Sequence, residues 1–385
     1  MSRLRSRVRR MFLDACEGIQ HGSLHLTTPE GEQIDFGAGE PAADLHITDW
    51  SVVTAMAARG EIGLGETYVV GLWQTSSIET LAAMGLVNRE ALAGFVYPDR
   101  WHAWRFRLAD RLLRANSRRG AERNIRAHYD VGNAFYALWL DPSMTYSSAL
   151  FAPGENDLYA AQMRKYDRIL KHIGDAENVL EIGCGWGGFA ERAGEQGRRV
   201  TGLTISPAQY GFATERLGAR ADIRLQDYRE TRGQFDAIVS IEMIEAVGEA
   251  YWPTYFAALK ARLAESGRAV VQAITVSDDY FPIYRAGSDY IRRYTFPGGM
   301  LISPGALAEQ ARRAGLVAES PYRFGQDYAA TLRQWSARLH SATPEIAALG
   351  YDEGFLRNWH YYLATCAAAF ATGNTDVMQV ELRHA

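Results

Sequence analysis

The sequence predicts a doubly wound α/β domain with a mostly parallel sheet, preceded by a smaller α+β domain. Three observations carry this. Apolar, strand-like runs recur late in the chain with helical stretches between them: NVLEI, RRVTGLTIS, ADIRLQD, FDAIVSIEM and GRAVVQAIT. Strands that alternate with helices are joined by crossovers, and crossovers build parallel sheets. The first of these runs feeds a glycine-rich loop, GCGWGG, and then a helical pattern. The opening residues differ: alternating segments sit around turn residues (SLHLTTPEGEQIDFG, then DLHITD), which reads as short antiparallel strands. Residues 49–95 then look helical but are broken by Gly60, Gly63, Gly65 and Gly71.

The expected division is an α+β domain at 1–98, an Arg-rich linker helix at 99–122 and the α/β domain at 123–385. A length of 385 residues fits that count. With 47% hydrophobic residues and a net charge of −4, the chain has a sizeable core and is neither disordered nor a uniformly basic nucleic-acid binder. No apolar stretch reaches the ~18–20 residues needed to span a bilayer, and no charged–apolar–small leader opens the chain. Cys16, Cys184 and Cys366 are odd in number and far apart. That pattern excludes a disulfide framework or a zinc cluster and points to a reducing cytoplasm.

Basic charge is unevenly placed. The first ten residues carry five Arg and no acid, with Leu4, Val8, Met11 and Phe12 at helical spacing. This is either a basic amphipathic helix on an anionic membrane surface or a terminal helix whose Arg face water. Residues 100–126 hold nine Arg among Trp101, Trp104, Phe106 and Leu108. Aromatics beside Arg suit the lipid headgroup level, or a docked linker helix; nucleic-acid binding is a third reading, which the acidic remainder of the chain disfavours.

The glycine loop is the first chemical signal. Val179-Leu180-Glu181-Ile182 should be a buried strand that ends in Gly183-Cys184-Gly185-Trp186-Gly187-Gly188. Glycines let a ligand approach the backbone. A dinucleotide fold would show G-x-G-x-x-G. Here the form is E-x-G-x-G-x-G, which resembles the loop of class I S-adenosylmethionine (SAM) methyltransferases. That resemblance implies a Rossmann-like domain with SAM as cofactor. Glu181 would order the loop or receive the amino group, beside Gly183, Cys184, Gly185 and Gly187. Thr204, Ser206 and Gln209 after the second strand would face the adenosine, and Gln226, Asp227 and Tyr228 the adenine.

Three further segments, HYDVGNAFY at 128–136 running on through TYSSALF, FPGG at 296–299 and DYAATL at 327–332, resemble the cyclopropane fatty acid synthase family. GEIGLGETYVVGLW at 60–73 resembles the amino-terminal domain of its phospholipid-acting members. The resemblance covers most of the chain. It implies attack by a cis alkene of an acyl chain on the SAM methyl, then loss of a proton from a carbocation. Tyr129, Phe135, Tyr136, Tyr146, Tyr294 and Tyr328 would line the pocket, since aromatic faces stabilise a cation. Tyr146 and Ser147 match SAM-contacting positions.

The same resemblance exposes a departure. Family members bind bicarbonate as the base through Cys, Glu, His, a backbone amide and Tyr. The corresponding positions are Ser148, Glu245, Gln272, Ile274 and Tyr328. The Cys and His are therefore replaced, and Ala246 follows Glu245 where a His is usual. Glu242 stands where the family has a small residue. Either Glu242 fills the bicarbonate region as a built-in base or cation stabiliser, or it contacts SAM or pairs with an Arg. The expected function is SAM-dependent methyl or methylene transfer to unsaturated acyl chains of membrane phospholipid. The product is a cyclopropane or a methyl-branched or methylene chain. A small-molecule C- or N-methyltransferase and a non-enzymatic lipid-binding protein are the alternatives. The expected partners are an anionic membrane surface, contacted peripherally from the cytoplasm, and a second copy in a homodimer. Neither a metal nor nucleic acid is expected.

Overall fold

The computed structural model describes residues 2–96 and 131–385. The expected linker helix, its Arg–Trp cluster and His128–Asp130 lie outside the described residues. The described chain forms two compact units that interleave in sequence. One gathers the opening residues with Ile283–Thr295 and Leu339–Asn374; the other holds residues 131 to Pro282, Phe296–Arg338 and Thr375–Ala385. A single boundary near residue 123 therefore does not describe the division.

In the first unit, β1 (Gly22–Thr27), β2 (Gln33–Ala38), β3 (Ala42–Ile47) and β4 (Trp73–Gln74) form a sheet in the order β2-β1-β3-β4. The expected antiparallel pairing holds for β1–β2, but β1 and β3 run parallel, and β3 pairs antiparallel with β4, a short strand inside the stretch read as helical. A short link carries the chain from β2 across the end of β1. Gly22 makes room for it, because a Cβ there would lie 2.4 Å from the Pro41 carbonyl.

The helix Ser2–Glu17 spends its apolar face on this core. Phe12 and Cys16 are buried among Leu24, Leu26, Val52 and Val53, and Phe12 meets Phe95 edge-on at 5.4 Å. Its polar side is tied down too: Arg9 lies 4.3 Å over the Trp50 ring and pairs with Glu30 at 3.3 Å. The helix Glu353–Ala371 completes the unit against Glu61–Val69 and Ile78–Val87. Arg357 donates from Nε to the Tyr68 carbonyl (2.7 Å), and its guanidinium covers the Tyr68 ring.

The second unit is the predicted doubly wound sheet. Its strands are β5 (Asn178–Ile182), β6 (Arg199–Thr204), β7 (Asp222–Leu225), β8 (Phe235–Ile241), β9 (Leu263–Val276), β10 (Leu316–Arg323) and β11 (Thr375–His384), in the order β10-β11-β9-β8-β5-β6-β7. Only β11 runs antiparallel to its neighbours. Strand order reverses beside β5. Loops leaving β5 and β8 thus diverge there and open the crevice where α/β sheets bind ligands.

Among the described residues, no helix is long and apolar enough to cross a membrane, and no cluster of His, Cys, Asp and Glu could hold a metal. Because Phe12 is a core residue, Phe12→Ala should cost about 3–5 kcal/mol, read by urea unfolding of the full chain. A loss below about 1 kcal/mol would mean that the helix is not part of the folded core.

Candidate active site

The loop after β5 has the expected shape. Gly183, Gly185 and Gly187 all have positive φ, and Gly187 starts the helix Gly188–Glu195. A Cβ on Gly185 would meet nothing within 4 Å, so the backbone there borders open space. Glu181 is buried, and its Oε2 has no hydrogen-bond partner. Burial pushes its pKa up to about 8, against the pull of Lys165. An orphaned buried carboxylate oxygen beside an open loop fits the cationic amino group of SAM.

Other expected cofactor residues have partners within the chain. The Cys184 thiol is buried beneath the loop against Gly202, and its backbone N–H donates to the Leu203 carbonyl (2.8 Å). Ser206 caps the helix Pro207–Leu217 by accepting from Gln209 N. Thr204 Oγ1 donates to Gln209 Oε1 (2.8 Å). The Asp227 carboxylate is engaged by Arg229. Gln226 and Tyr228 flank it beyond β7, where Tyr228 meets Tyr255 edge-on.

An aromatic cluster stands over this loop. Tyr136 contacts Trp186 (5.0 Å), Trp139 and Tyr146 (5.5 Å each), and Tyr146 contacts Trp335 (5.3 Å). Trp335 in turn meets Tyr328. Trp186 is aimed by its Nε1–H donating to Asn133 (2.8 Å), which explains the GN pair of the HYDVGNAFY segment. Tyr294, expected in the pocket, belongs to the first unit, where it is half-exposed and bonded to Glu66. Its place in the π-turn Ile291–Thr295 was not legible from spacing.

The decisive arrangement surrounds Glu242, immediately after β8. Its backbone has φ of 49°, the left-handed region that small residues favour and that costs a larger one roughly 1–2 kcal/mol. Its carboxylate is held by three donors: Ser148 N (2.9 Å) and Gln272 Nε2 (2.7 Å) on Oε1, and the Tyr328 hydroxyl (2.8 Å) on Oε2. Ser148 acts through its backbone, not through the hydroxyl expected to replace Cys, which donates to the Ala149 carbonyl. The expected backbone amide, Ile274 N, donates to Glu245 Oε1 (2.5 Å). Each donor assigned to bicarbonate is thus already engaged: the Gln272 amide and the Tyr328 hydroxyl by Glu242, Ile274 N by Glu245, and the Ser148 hydroxyl by the Ala149 carbonyl. Bicarbonate does not fit.

The remaining motifs pin this arrangement. From the helix Gly325–Ser341, Asp327 accepts from Phe151 N (3.2 Å) and Thr331 from Ala149 N (3.1 Å), fastening the TYSSALF segment on which Ser148 lies. After FPGG, Met300 N donates to the Glu245 carbonyl (2.8 Å).

Electrostatics are those of a dry, acidic site. Burial raises the pKa of Glu242, opposed by Lys165, Ser148 N, Gln272 and Tyr328. Burial and then the nearby Glu242 push Glu245 up to about 8, and its Oε2 is buried without a partner. Lys165 is fully buried, donates to Ser147 Oγ (2.6 Å) and is pulled down to about 7 by burial, against the charges of Glu242, Asp141 and Glu181. Gln162 Nε2 holds the Ser147 carbonyl (2.9 Å). Lys165 is a site residue that spacing alone does not single out. Its signal was a lysine on the buried face of the helix Leu158–His172, in step with Leu158, Gln162 and Ile169.

The sequence matches the mycolic acid cyclopropane synthetase family over residues 116–380, more than half of the chain. The chain belongs to this family. It is 36% identical to the tuberculostearic acid methyltransferase UfaA1 of Mycobacterium tuberculosis, over 93% of this chain and 87% of that one. It is 34% identical to the cyclopropane-fatty-acyl-phospholipid synthase of Escherichia coli, over 89% and 88%. Among solved structures it resembles the cyclopropane synthase MmaA2 of Mycobacterium tuberculosis, with TM-score 0.64 and 28% identity, over 68% of this chain and 97% of that one. A second neighbour, CmaA1 complexed with SAH and CTAB, has TM-score 0.63 and 29% identity, over 68% and 97%. The fold is that of class I SAM methyltransferases, and the chain is a SAM-dependent enzyme of that class.

Glu245 has a folded-state pKa above its ordinary value of 4.5. Its contribution to stability is present below about pH 4.5 and is lost as pH rises through about 8. Glu245→Gln should therefore stabilise the ligand-free enzyme at pH 8 by roughly 1 kcal/mol or more, with the advantage shrinking toward pH 5. Thermal melts across that range check this; a gain larger at pH 5 than at pH 8 contradicts it.

Proposed function

We propose that this enzyme alkylates the cis double bond of unsaturated acyl chains in membrane phospholipid, with Glu242 as the base that receives the proton. The supporting observation is the Glu242 carboxylate, held at a left-handed backbone position by Ser148 N, Gln272 Nε2 and the Tyr328 hydroxyl. Bound SAM supplies a methyl group made electrophilic by its sulfonium.

The residues have distinct tasks in this reading. Glu181 and the Gly183–Gly187 loop hold the amino-acid end of SAM. The Tyr136, Tyr146, Trp186 and Trp335 faces exclude water and stabilise positive charge on the substrate. The alkene electron pair would form the new carbon–carbon bond as the methyl–sulfur bond breaks and leaves a neutral thioether, and the adjacent carbon would become cationic. Glu242 Oε1 already accepts from two N–H groups that cannot accept in return. The proton therefore goes to Oε2, where the Tyr328 hydroxyl can turn from donor to acceptor. Loss of a proton from the transferred methyl closes a cyclopropane. Loss from a neighbouring chain carbon gives a methyl-branched alkene, and a hydride shift from the methyl-bearing carbon to the cation, followed by loss of a proton from that methyl, gives a methylene chain. Microscopic placement of the base over one carbon or the other decides the product.

Contact with the membrane is part of the proposal. Arg7 and Arg10 are exposed beside the exposed Met11, on the side of the first helix away from its core face. Such a face suits peripheral binding to anionic headgroups from the cytoplasmic side. Flotation with anionic vesicles should capture the enzyme at low salt, and Arg7→Gln/Arg10→Gln should weaken capture several-fold. Equal capture by neutral vesicles would argue against it.

The chemical test is incubation with SAM and cis-monounsaturated phospholipid. Chromatography and NMR of the released chains then follow, because the isomeric products have equal mass. Glu242→Gln should lower turnover by about 10²–10⁴-fold while SAM binding by calorimetry is retained. Wild-type turnover should be indifferent to bicarbonate depletion, whereas Glu242→Gly should gain turnover from added bicarbonate. A Glu242→Gln enzyme with normal rate and product would remove Glu242 from the chemistry.

A further inference from the structure

Behind Glu242 runs a buried chain of polar groups that the reaction itself does not touch. Gln272 Nε2 donates to Glu242 Oε1 (2.7 Å), and Gln272 Oε1 accepts from Gln379 Nε2 (3.0 Å). Gln379 Oε1 accepts from the Arg168 guanidinium (3.0 Å). Gln272 and Gln379 are buried on the paired strands β9 and β11, directly across from each other. Arg168 reaches them from the helix Leu158–His172, lying 4.1 Å over the Tyr322 ring of β10.

An amide can usually turn end for end, which would swap its donor for its acceptor. This chain forbids that. A guanidinium only donates, so Gln379 must show it Oε1. Gln379 Nε2 then faces inward and requires Gln272 Oε1. Gln272 is left with Nε2 toward Glu242, which accepts when ionised. Donor-only and acceptor ends fix one direction for both amides.

We propose that Gln379 and Arg168 are positioning residues for the proton acceptor: their one-way relay keeps the Gln272 amide donating to Glu242 and so favours the charged carboxylate. The proposal rests on the reading of Glu242 as base. The ionisable groups facing Glu242 are Lys165 on the helix Leu158–His172, Glu245 in the helix Ile244–Val247 and Tyr328 on the helix Gly325–Ser341. Those acting on Arg168 are Tyr322 and Glu381.

The test is kcat against pH for transfer to cis-monounsaturated phospholipid, with SAM affinity by calorimetry as control. A base must be ionised to act, so activity rises with pH through its titration. Loss of a donor raises that midpoint. Gln379→Glu presents only acceptors and turns Gln272 Nε2 away from Glu242. The acid limb should then move up by about half a pH unit or more, with kcat at pH 7 down about 3–10-fold and SAM affinity within about twofold. Arg168→Met, at a partly exposed position, should shift the limb in the same direction by less, and Arg168→Lys should restore it. In a Gln272→Leu background, Gln379→Glu should add a clearly smaller shift than it does in the wild type, the remainder being direct repulsion between the two carboxylates. An unmoved acid limb in both Gln379→Glu and Arg168→Met overturns the relay. If Glu242→Gln keeps the wild-type limb, the reading of Glu242 as base fails. If Glu242→Gln abolishes the limb while both Gln379→Glu and Arg168→Met leave it in place, only the relay fails.

Discussion

A carboxylate seated where the backbone resists it is the constraint on which this site depends. Glu242 accepts a left-handed φ, and Gln272 compensates it twice. The Gln272 carbonyl accepts from Glu242 N (2.8 Å), and its side-chain amide donates to the Glu242 carboxylate. Ser148 N and the Tyr328 hydroxyl complete the clamp from two other elements. Segments far apart in sequence thus converge on one functional group: the end of β8, the middle of β9, the TYSS turn and the helix after β10. The bonds from Asp327 and Thr331 to the TYSSALF segment make that convergence rigid.

The second property of the site is its excess of buried acid. Glu181, Glu242 and Glu245 share a desolvated region with Lys165 as the buried base among them. Burial makes each charged carboxylate costly without a nearby cation. The site is therefore completed by positive charge. In the proposed reaction a sulfonium with an ammonium group would provide it at one end, and a carbocation at the other. Binding and chemistry draw on the same electrostatic deficit.

Much of this was legible in the sequence, for identifiable reasons. The Glu181–Gly187 loop could be read because strand, acid and spaced glycines are local features with one structural meaning. Glu242 stood out because a carboxylate replaced a small residue while two bicarbonate ligands had also changed. What escaped was non-local. Gln379 sits near the far end of the chain and becomes relevant only because β11 pairs in register with β9. Lys165 looked like surface charge until the face of its helix was known. Tyr294 carried the right side chain but joined the other unit, and no periodicity reports which unit an aromatic joins. Cys184, Ser206 and Asp227 lie in the expected places, yet internal hydrogen bonds or burial occupy their side chains. Proximity in a motif does not fix which way an atom points.

The interleaving of the first unit bears on how the protein is made. Its sheet and first helices are synthesised early, but Tyr361, which packs against Tyr68 and Trp73, belongs to the helix Glu353–Ala371. At ribosomal rates of about 5–20 residues per second, that partner emerges tens of seconds later. Throughout that interval the nascent chain carries an unfinished apolar surface, open to chaperones. A gene fragment ending before this helix would encode a permanently incomplete core.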